Sequence, residues 1–213
     1  DASRAEMENR RTRIEVCGLG REEDIANVNE AGPDYCGFII QVPRSRRNVS
    51  PERAAELSIR LDGRITPVGV FVNAPAELPA RLAREGIIRM IQLHGQEDED
   101  YIQRPRGLTD VPVIQAFSVA SREDVRRAKD SSADYVLFDQ GAGGTGKTFD
   151  WGLIGSMDRP FILAGGLTLE NLTEAVKRVR PWCVDVSSGV ETEGYKDQAK
   201  QKAAVAAVRR MEE

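Results

Sequence analysis

The sequence predicts an α/β protein built as a single-domain (β/α)8 TIM barrel, and three observations carry that prediction. Eight short β-branched runs alternate with eight stretches of helical period or composition along the 213 residues. The runs are continuously apolar rather than alternating, which suits parallel strands covered on both faces. Glycine and polar residues fall just past their ends, at Cys17-Gly18, His94-Gly95, Gly165-Gly166 and Ser188-Gly189. An open doubly wound sheet shares the rhythm, but chemistry gathered on one rim and fed by strands from both halves of the chain suits the barrel better.

The expected strands are Arg13 to Cys17, Cys36 to Gln41, Val68 to Val72, Met90 to His94, Val111 to Phe117, Tyr135 to Asp139, Phe161 to Ala164 and Cys183 to Ser187. The expected helices are Glu22 to Glu30, Pro51 to Leu61, Ala76 to Arg84, Glu97 to Gln103, Arg122 to Ala128, a short piece near Trp151, Leu169 to Val179 and Lys196 to Met211. Residues 1–11 are polar, mixed in charge and without an apolar centre, so a flexible N-terminal tail is expected there and the barrel over residues 12–213.

Composition narrows the function. Forty per cent hydrophobic and 30% charged residues fit a soluble globule, and a net charge of −4 offers no broad basic field for nucleic acid. No apolar run approaches the roughly 20 residues of a membrane span. Three cysteines at no ligand-like spacing and a single histidine argue against a metal site. A reducing cytoplasm is the expected compartment.

The chemistry-bearing residues sit at strand ends. The turns Ala164-Gly165-Gly166-Leu167 and Ser187-Ser188-Gly189-Val190 follow the last two strands, where barrels often hold phosphate and glycine lets backbone N–H groups approach its oxygens. A phosphorylated small molecule is therefore the expected partner, with Gly165, Gly166, Ser188 and Gly189 around its phosphate. Gly141 to Thr148 satisfies the spacing of a nucleotide P-loop, but Phe149-Asp150-Trp151 follows instead of a clear long helix. A lid over the sixth strand, with Lys147 facing an anion, is the better reading. Asp139 ends that strand, where partial desolvation suits a general acid. Cys17 closes the first strand and would serve as base or nucleophile if nearby cations favoured its thiolate. His94 reads equally as core histidine or substrate contact, and Asp185 as lumen hydrogen bond or site group. Cys36 and Cys183 begin strands and are expected in the core. Arg44-Ser45-Arg46-Arg47 supplies guanidinium groups for a carboxylate.

These residues form longer motifs: Val16-Cys17-Gly18-Leu19, Ser45-Arg46-Arg47, Gly69-Val70-Phe71-Val72-Asn73, Gln92-Leu93-His94-Gly95, Gly143 to Trp151 and Val184 to Glu191. In this order, from about Arg13 to the C-terminus, they resemble the phosphoribosylanthranilate isomerases of tryptophan biosynthesis. The resemblance implies an Amadori rearrangement of an N-phosphoribosyl aminoaldose to its 1-deoxyribulose ketose, without metal or organic cofactor, by a monomer or homodimer. It implies Asp139 as the acid that opens the ribose ring and Cys17 as the base that removes the C2 proton. Arg47 would take the anthranilate carboxylate, His94 and Asp185 would orient substrate, and Gly166, Ser188 and Gly189 would bind phosphate. Three residues depart from the pattern: Glu15 and Gln115 stand where it has Lys, and Gly20 where it has Thr or another polar residue. Strand alternation puts Glu15 on the face of Cys17, an anion in place of a cation. Together the three are expected to make the rim more negative, and a phosphosugar-binding barrel with reduced or no isomerase activity is the second reading.

Overall fold

The computed structural model describes residues 11–140 and 148–212. Residues 1–10 of the expected tail, and most of the expected lid with Lys147, lie outside them.

Eight parallel strands form the barrel: Arg13–Cys17 (β1), Tyr35–Ile40 (β2), Thr66–Phe71 (β3), Met90–Leu93 (β4), Val113–Ser118 (β5), Tyr135–Asp139 (β6), Phe161–Leu163 (β7) and Cys183–Val186 (β8). Each pairs with the next, and β8 pairs back onto β1 through Arg13↔Cys183 to Val16↔Val186, so the sheet closes. Helices Glu22–Ala31 (α1), Pro51–Ser58 (α2), Glu77–Arg84 (α3), Glu99–Arg106 (α4), Arg122–Lys129 (α5), Leu172–Val179 (α6) and Gln198–Arg210 (α7) cover the outside. The short piece near Trp151 is a 3-10 turn, Trp151–Leu153, started by Asp150 Oδ1 accepting from Gly152 N at 2.9 Å.

Local chemistry sets the boundaries. Asp98, not Glu97, caps α4 by accepting from Tyr101 N at 2.9 Å. Glu97 instead accepts from Asn73 N at 2.7 Å and Gly95 N at 2.8 Å, tying the loops after β3 and β4 together beside His94. Arg11, the last residue of the expected tail, donates through Nη2 to Asp34 Oδ1 at 2.7 Å.

Two cores result. Phe38, Phe71, Phe138, Leu57 and their neighbours fill the space between strands and helices. Val68, Met90, Ile114, Leu137, Ile162 and Cys183 fill the lumen, with Cys36 in the outer core, so both cysteines pack as expected. At the N-terminal end Trp182 stacks on Tyr135 with centroids 4.4 Å apart, and the Arg13 guanidinium lies 4.5 Å from the Trp182 ring. The polar groups of the lumen gather at the opposite, C-terminal end.

Candidate active site

Strand register decides which side chains face the lumen. Glu15 lies opposite Tyr35 and Asp185, and Cys17 opposite Gly37. In the same way Gln92 pairs with Ile114, and Ser118 with Asp139. Residues paired across parallel strands share a face, so Glu15, Cys17, Gln92, Asp139 and Asp185 all point inward with the apolar lumen core.

Cys17 is buried at the end of β1, and Gly37 makes room for it: a Cβ at Gly37 would stand 2.7 Å from Cys17 Sγ and 3.3 Å from its Cα. No sequence signal singles out Gly37. Gly37→Ala is expected to push the thiol aside and lower kcat by about 10- to 100-fold, while destabilising the fold by about 1–3 kcal/mol; turnover and a urea melt on the same sample check this.

On the far side of the ring, His94 Nε2 and Asp139 Oδ2 are 2.6 Å apart, and Gln92 Nε2 lies 3.0 Å from His94 Nδ1. The imidazole is thus held between the Gln92 amide and the Asp139 carboxyl. Burial pulls the imidazole pKa down, but the Asp139 hydrogen bond and charge, with more distant Asp185 and Glu97, hold it above its ordinary value.

Around Cys17, an oxygen of Glu15, the sulfur and an oxygen of Asp185 all lie within 4.8 Å of one another. They are the group whose atoms come close enough for a metal ion among the described residues. Burial, then the charges of Asp185 and Glu15, push the thiol pKa well up, while Lys196 and Arg47 draw it down. Burial raises both carboxyl pKa values too, Asp185 strongly so with Glu15 beside it. Two buried carboxylates so close hold a proton between them at neutral pH.

The rim carries a charge network absent from the sequence reading. Arg47 Nε and Nη2 donate to the two Glu191 oxygens at 2.8 and 2.7 Å, and Lys196 Nζ reaches Glu191 Oε2 at 2.5 Å. Arg46 adds a bond to Glu191 Oε1 at 3.0 Å. Lys196 also donates to Ser187 O at 3.3 Å, and Ser187 Oγ donates to the Cys17 carbonyl at 3.0 Å. Arg47 thus reaches the rim already paired with Glu191. The Gly18 backbone, at φ +91°, passes so close to Arg47 that a Cβ there would lie 2.5 Å from Arg47 Cδ.

The two glycine turns meet. Gly165 and Gly166 adopt φ of +88° and +69°, and a Cβ on Gly189 would fall 1.9 Å from the Leu167 carbonyl oxygen. Gly165 also lies against Asp139, whose Cα would be 3.5 Å from a Cβ at that position. The glycine-bearing loops after β7 and β8 therefore pack as one surface beside Asp139.

Gln115 corrects an expectation. It pairs in register with Leu93 of the outer core, and its side chain donates to Glu97 O at 3.2 Å and accepts from Ser131 Oγ at 2.5 Å. It faces away from the lumen, so a neutral residue there takes no cation from the rim. Gly20 also lies outside the cluster, its N–H held by Asp24 Oδ2 at 3.0 Å. Of the three departures, Glu15 alone enters the site.

A closed barrel with its polar lumen groups on the C-terminal rim defines a (β/α)8-barrel enzyme. The family described as N-(5'-phosphoribosyl)anthranilate (PRA) isomerase matches residues 14–207. An N-(5'-phosphoribosyl)anthranilate isomerase of Thermoanaerobacter pseudethanolicus is 42% identical over 203 residues, covering 92% of this chain and 98% of its own. The crystal structure of phosphoribosyl anthranilate isomerase from Thermotoga maritima superposes with a TM-score of 0.84 at 36% identity, covering 93% of this chain and 99% of that one. A further structure of the isomerase, 34% identical with a TM-score of 0.82 over 93% of this chain and 99% of its own, is in complex with reduced 1-(o-carboxyphenylamino)-1-deoxyribulose 5-phosphate. The chain belongs to the phosphoribosylanthranilate isomerase family, the tryptophan-pathway isomerases that its motifs resemble. Among the described residues no helix is long and apolar enough to cross a membrane.

Proposed function

We propose that the chain converts N-(5-phosphoribosyl)anthranilate to 1-(2-carboxyphenylamino)-1-deoxyribulose 5-phosphate, with Asp139 as general acid and Cys17 as the residue that takes the C2 proton. The observation that carries the assignment of roles is the 2.6 Å pairing of Asp139 with His94, on the same rim as Cys17, in a chain of this family.

The chemistry follows from the groups present. Asp139 protonates the ribose ring oxygen, and the C1–O bond breaks to leave a Schiff base with the anthranilate nitrogen. His94, held above its ordinary pKa by Asp139, keeps a transferable proton at the carboxylate. The cationic imine acidifies C2, whose proton passes to Cys17, giving an enolamine that becomes the ketone. Acid and base stand three strands apart around the ring, β6 to β1 through β7 and β8, so they address different atoms of one bound sugar. Arg47 spends Nε and Nη2 on Glu191, which leaves Nη1 for the anthranilate carboxylate. Asp185 orients substrate from the lumen wall. Gly165, Gly166, Ser188 and Gly189 supply backbone N–H groups to the phosphate. A cytoplasmic enzyme, monomeric or homodimeric, fits these roles.

The test is loss of phosphoribosylanthranilate fluorescence on adding the purified chain. Turnover with tight binding of the reduced product supports the proposal. Binding without turnover favours the phosphosugar-binding alternative, for which the Arg47–Glu191 pairing and Glu15 speak.

A further inference from the structure

Glu15 is 1% exposed and lies two residues below Cys17 on the lumen face of β1. One of its oxygens lies within 4.8 Å of the Cys17 sulfur and of an Asp185 oxygen. If both carboxyls are counted as ionised, Glu15 Oε2 and Asp185 Oδ1 are buried without a donor. A proton on Asp185 supplies a donor between these two oxygens, and the Cys17 sulfur lies within 4.8 Å of both carboxyls. The carboxylate of Glu15 is then flanked by two acids, one of them facing the substrate.

We propose that Glu15 is the ultimate base of the isomerisation, accepting the thiol proton of Cys17 in the same step in which the Cys17 sulfur takes the C2 proton of the substrate. The proposal rests on the reading of Cys17 given above and adds to it a second proton acceptor. Before the step the pair is Glu15 carboxylate and Cys17 thiol. The C2–H bond breaks, its electron pair forms the C1–C2 double bond of the enolamine, and its proton joins sulfur. The original S–H proton joins a Glu15 oxygen. The pair then holds one proton more, which it gives back as the enolamine becomes the ketone and C1 is protonated.

The relay answers an electrostatic difficulty. A free thiolate at Cys17 would be raised in energy by burial and by two neighbouring carboxyls, as the upward shift of the thiol shows. A concerted relay never leaves the charge on sulfur; the anion that is consumed is the one already on Glu15. Burial lifts Glu15 to about 7, against hydrogen bonds from Asp185 and Cys17 that lower it. A base poised near neutral pH is suited to proton abstraction. Other charged and titratable groups bearing on the relay are Cys183 and Asp185 from β8, Cys36 from β2 and His94 next to β4. Lys196 and Arg47 act from the rim through Cys17.

The experiment follows kcat for phosphoribosylanthranilate from pH 5 to 9, and the rate at which iodoacetamide alkylates Cys17, in the parent chain, Glu15→Gln and Glu15→Asp. We expect the parent kcat and alkylation rate to climb as Glu15 ionises. Glu15→Gln is expected to lose both rises and about 100-fold in kcat, with KM within about twofold because Glu15 is buried below the thiol. Glu15→Asp is expected to restore a rise at a shifted pH. A role confined to folding would move the melt and leave the alkylation profile unchanged. Parent-like kcat and alkylation profiles in folded Glu15→Gln overturn the relay while the assignment of Cys17 stands. Should Glu15→Gln fail to fold, a rise in the parent that stays at the same pH in Glu15→Asp overturns it equally. Absence of turnover by the parent sinks the isomerase reading instead, and the alkylation profiles still test the Glu15–Cys17 pair.

Discussion

Asp139→Asn is expected to lower kcat by about three orders of magnitude while the protein keeps its fold and binds the reduced product within severalfold of the parent. The substitution keeps the shape of the side chain and an acceptor for His94, but removes the transferable proton from the ring oxygen's side of the sugar. Ring opening without an acid must expel an alkoxide, which is a poor leaving group. His94 is a poor replacement for Asp139, because both its ring nitrogens are already engaged, one with Asp139 at 2.6 Å and the other with Gln92 at 3.0 Å. His94→Ala is accordingly expected to be milder, about 10- to 100-fold, because it removes the group that returns a proton to Asp139 and leaves the acid itself. Steady-state kcat and KM for both variants, with calorimetric binding of the reduced product, check the order. Equal losses in the two would instead make the pair act as a unit.

Much of this site is legible in the sequence because (β/α)8 barrels put their chemistry at strand ends. Cys17, His94 and Asp139 each close an apolar run, and the structure brings all three to the C-terminal rim. The glycine turns at Gly165-Gly166 and Ser188-Gly189 follow adjacent strands and so meet. Sequence alone does not orient Gln115 for a physical reason: Val113 to Ser118 carries apolar residues on both faces, as strands covered on both sides do, so hydropathy does not tell lumen from helix side. The register of Leu93 against Gln115 settles it, and register is a three-dimensional fact. Helical composition extends to Glu97 in the sequence, although Asp98 is the better cap and Glu97 accepts from backbone donors of its own. Gly37 carries no local signal, since its small size matters only once Cys17 lies beside it. The pairing of Glu191 with Arg47 spans 144 residues of sequence and depends on the barrel closing between β8 and β1.

That closure makes Glu191 the position where one substitution should cost the fold most. Side-chain exposures of 11% for Arg47, 5% for Glu191 and 1% for Lys196 place three charges out of water, and the single carboxylate serves both cations. Burial alone would raise the Glu191 pKa, yet its hydrogen bonds from Arg47 and Lys196 bring it down to about 2. Glu191→Ala is expected to destabilise the protein by about 3–5 kcal/mol, because it leaves two buried cations facing each other. The double variant Glu191→Ala with Lys196→Met should lose less than the sum of the single losses, by about 1 kcal/mol or more, because the stranded ammonium is gone. Additive losses would mean that the three charges do not act as a network. The same pairing sets an acid limit. A carboxylate whose folded pKa lies below its ordinary 4.5 contributes in full above that value and loses its contribution as pH falls through about 2. The melting temperature of the parent should therefore converge on that of Glu191→Ala between about pH 5 and pH 2. The loop that carries Ser187 should slacken with it, since Lys196 holds the Ser187 carbonyl and Ser187 holds Cys17. Loss of Glu191 is thus expected to reach the thiol, and with it turnover, at temperatures where the barrel is still closed.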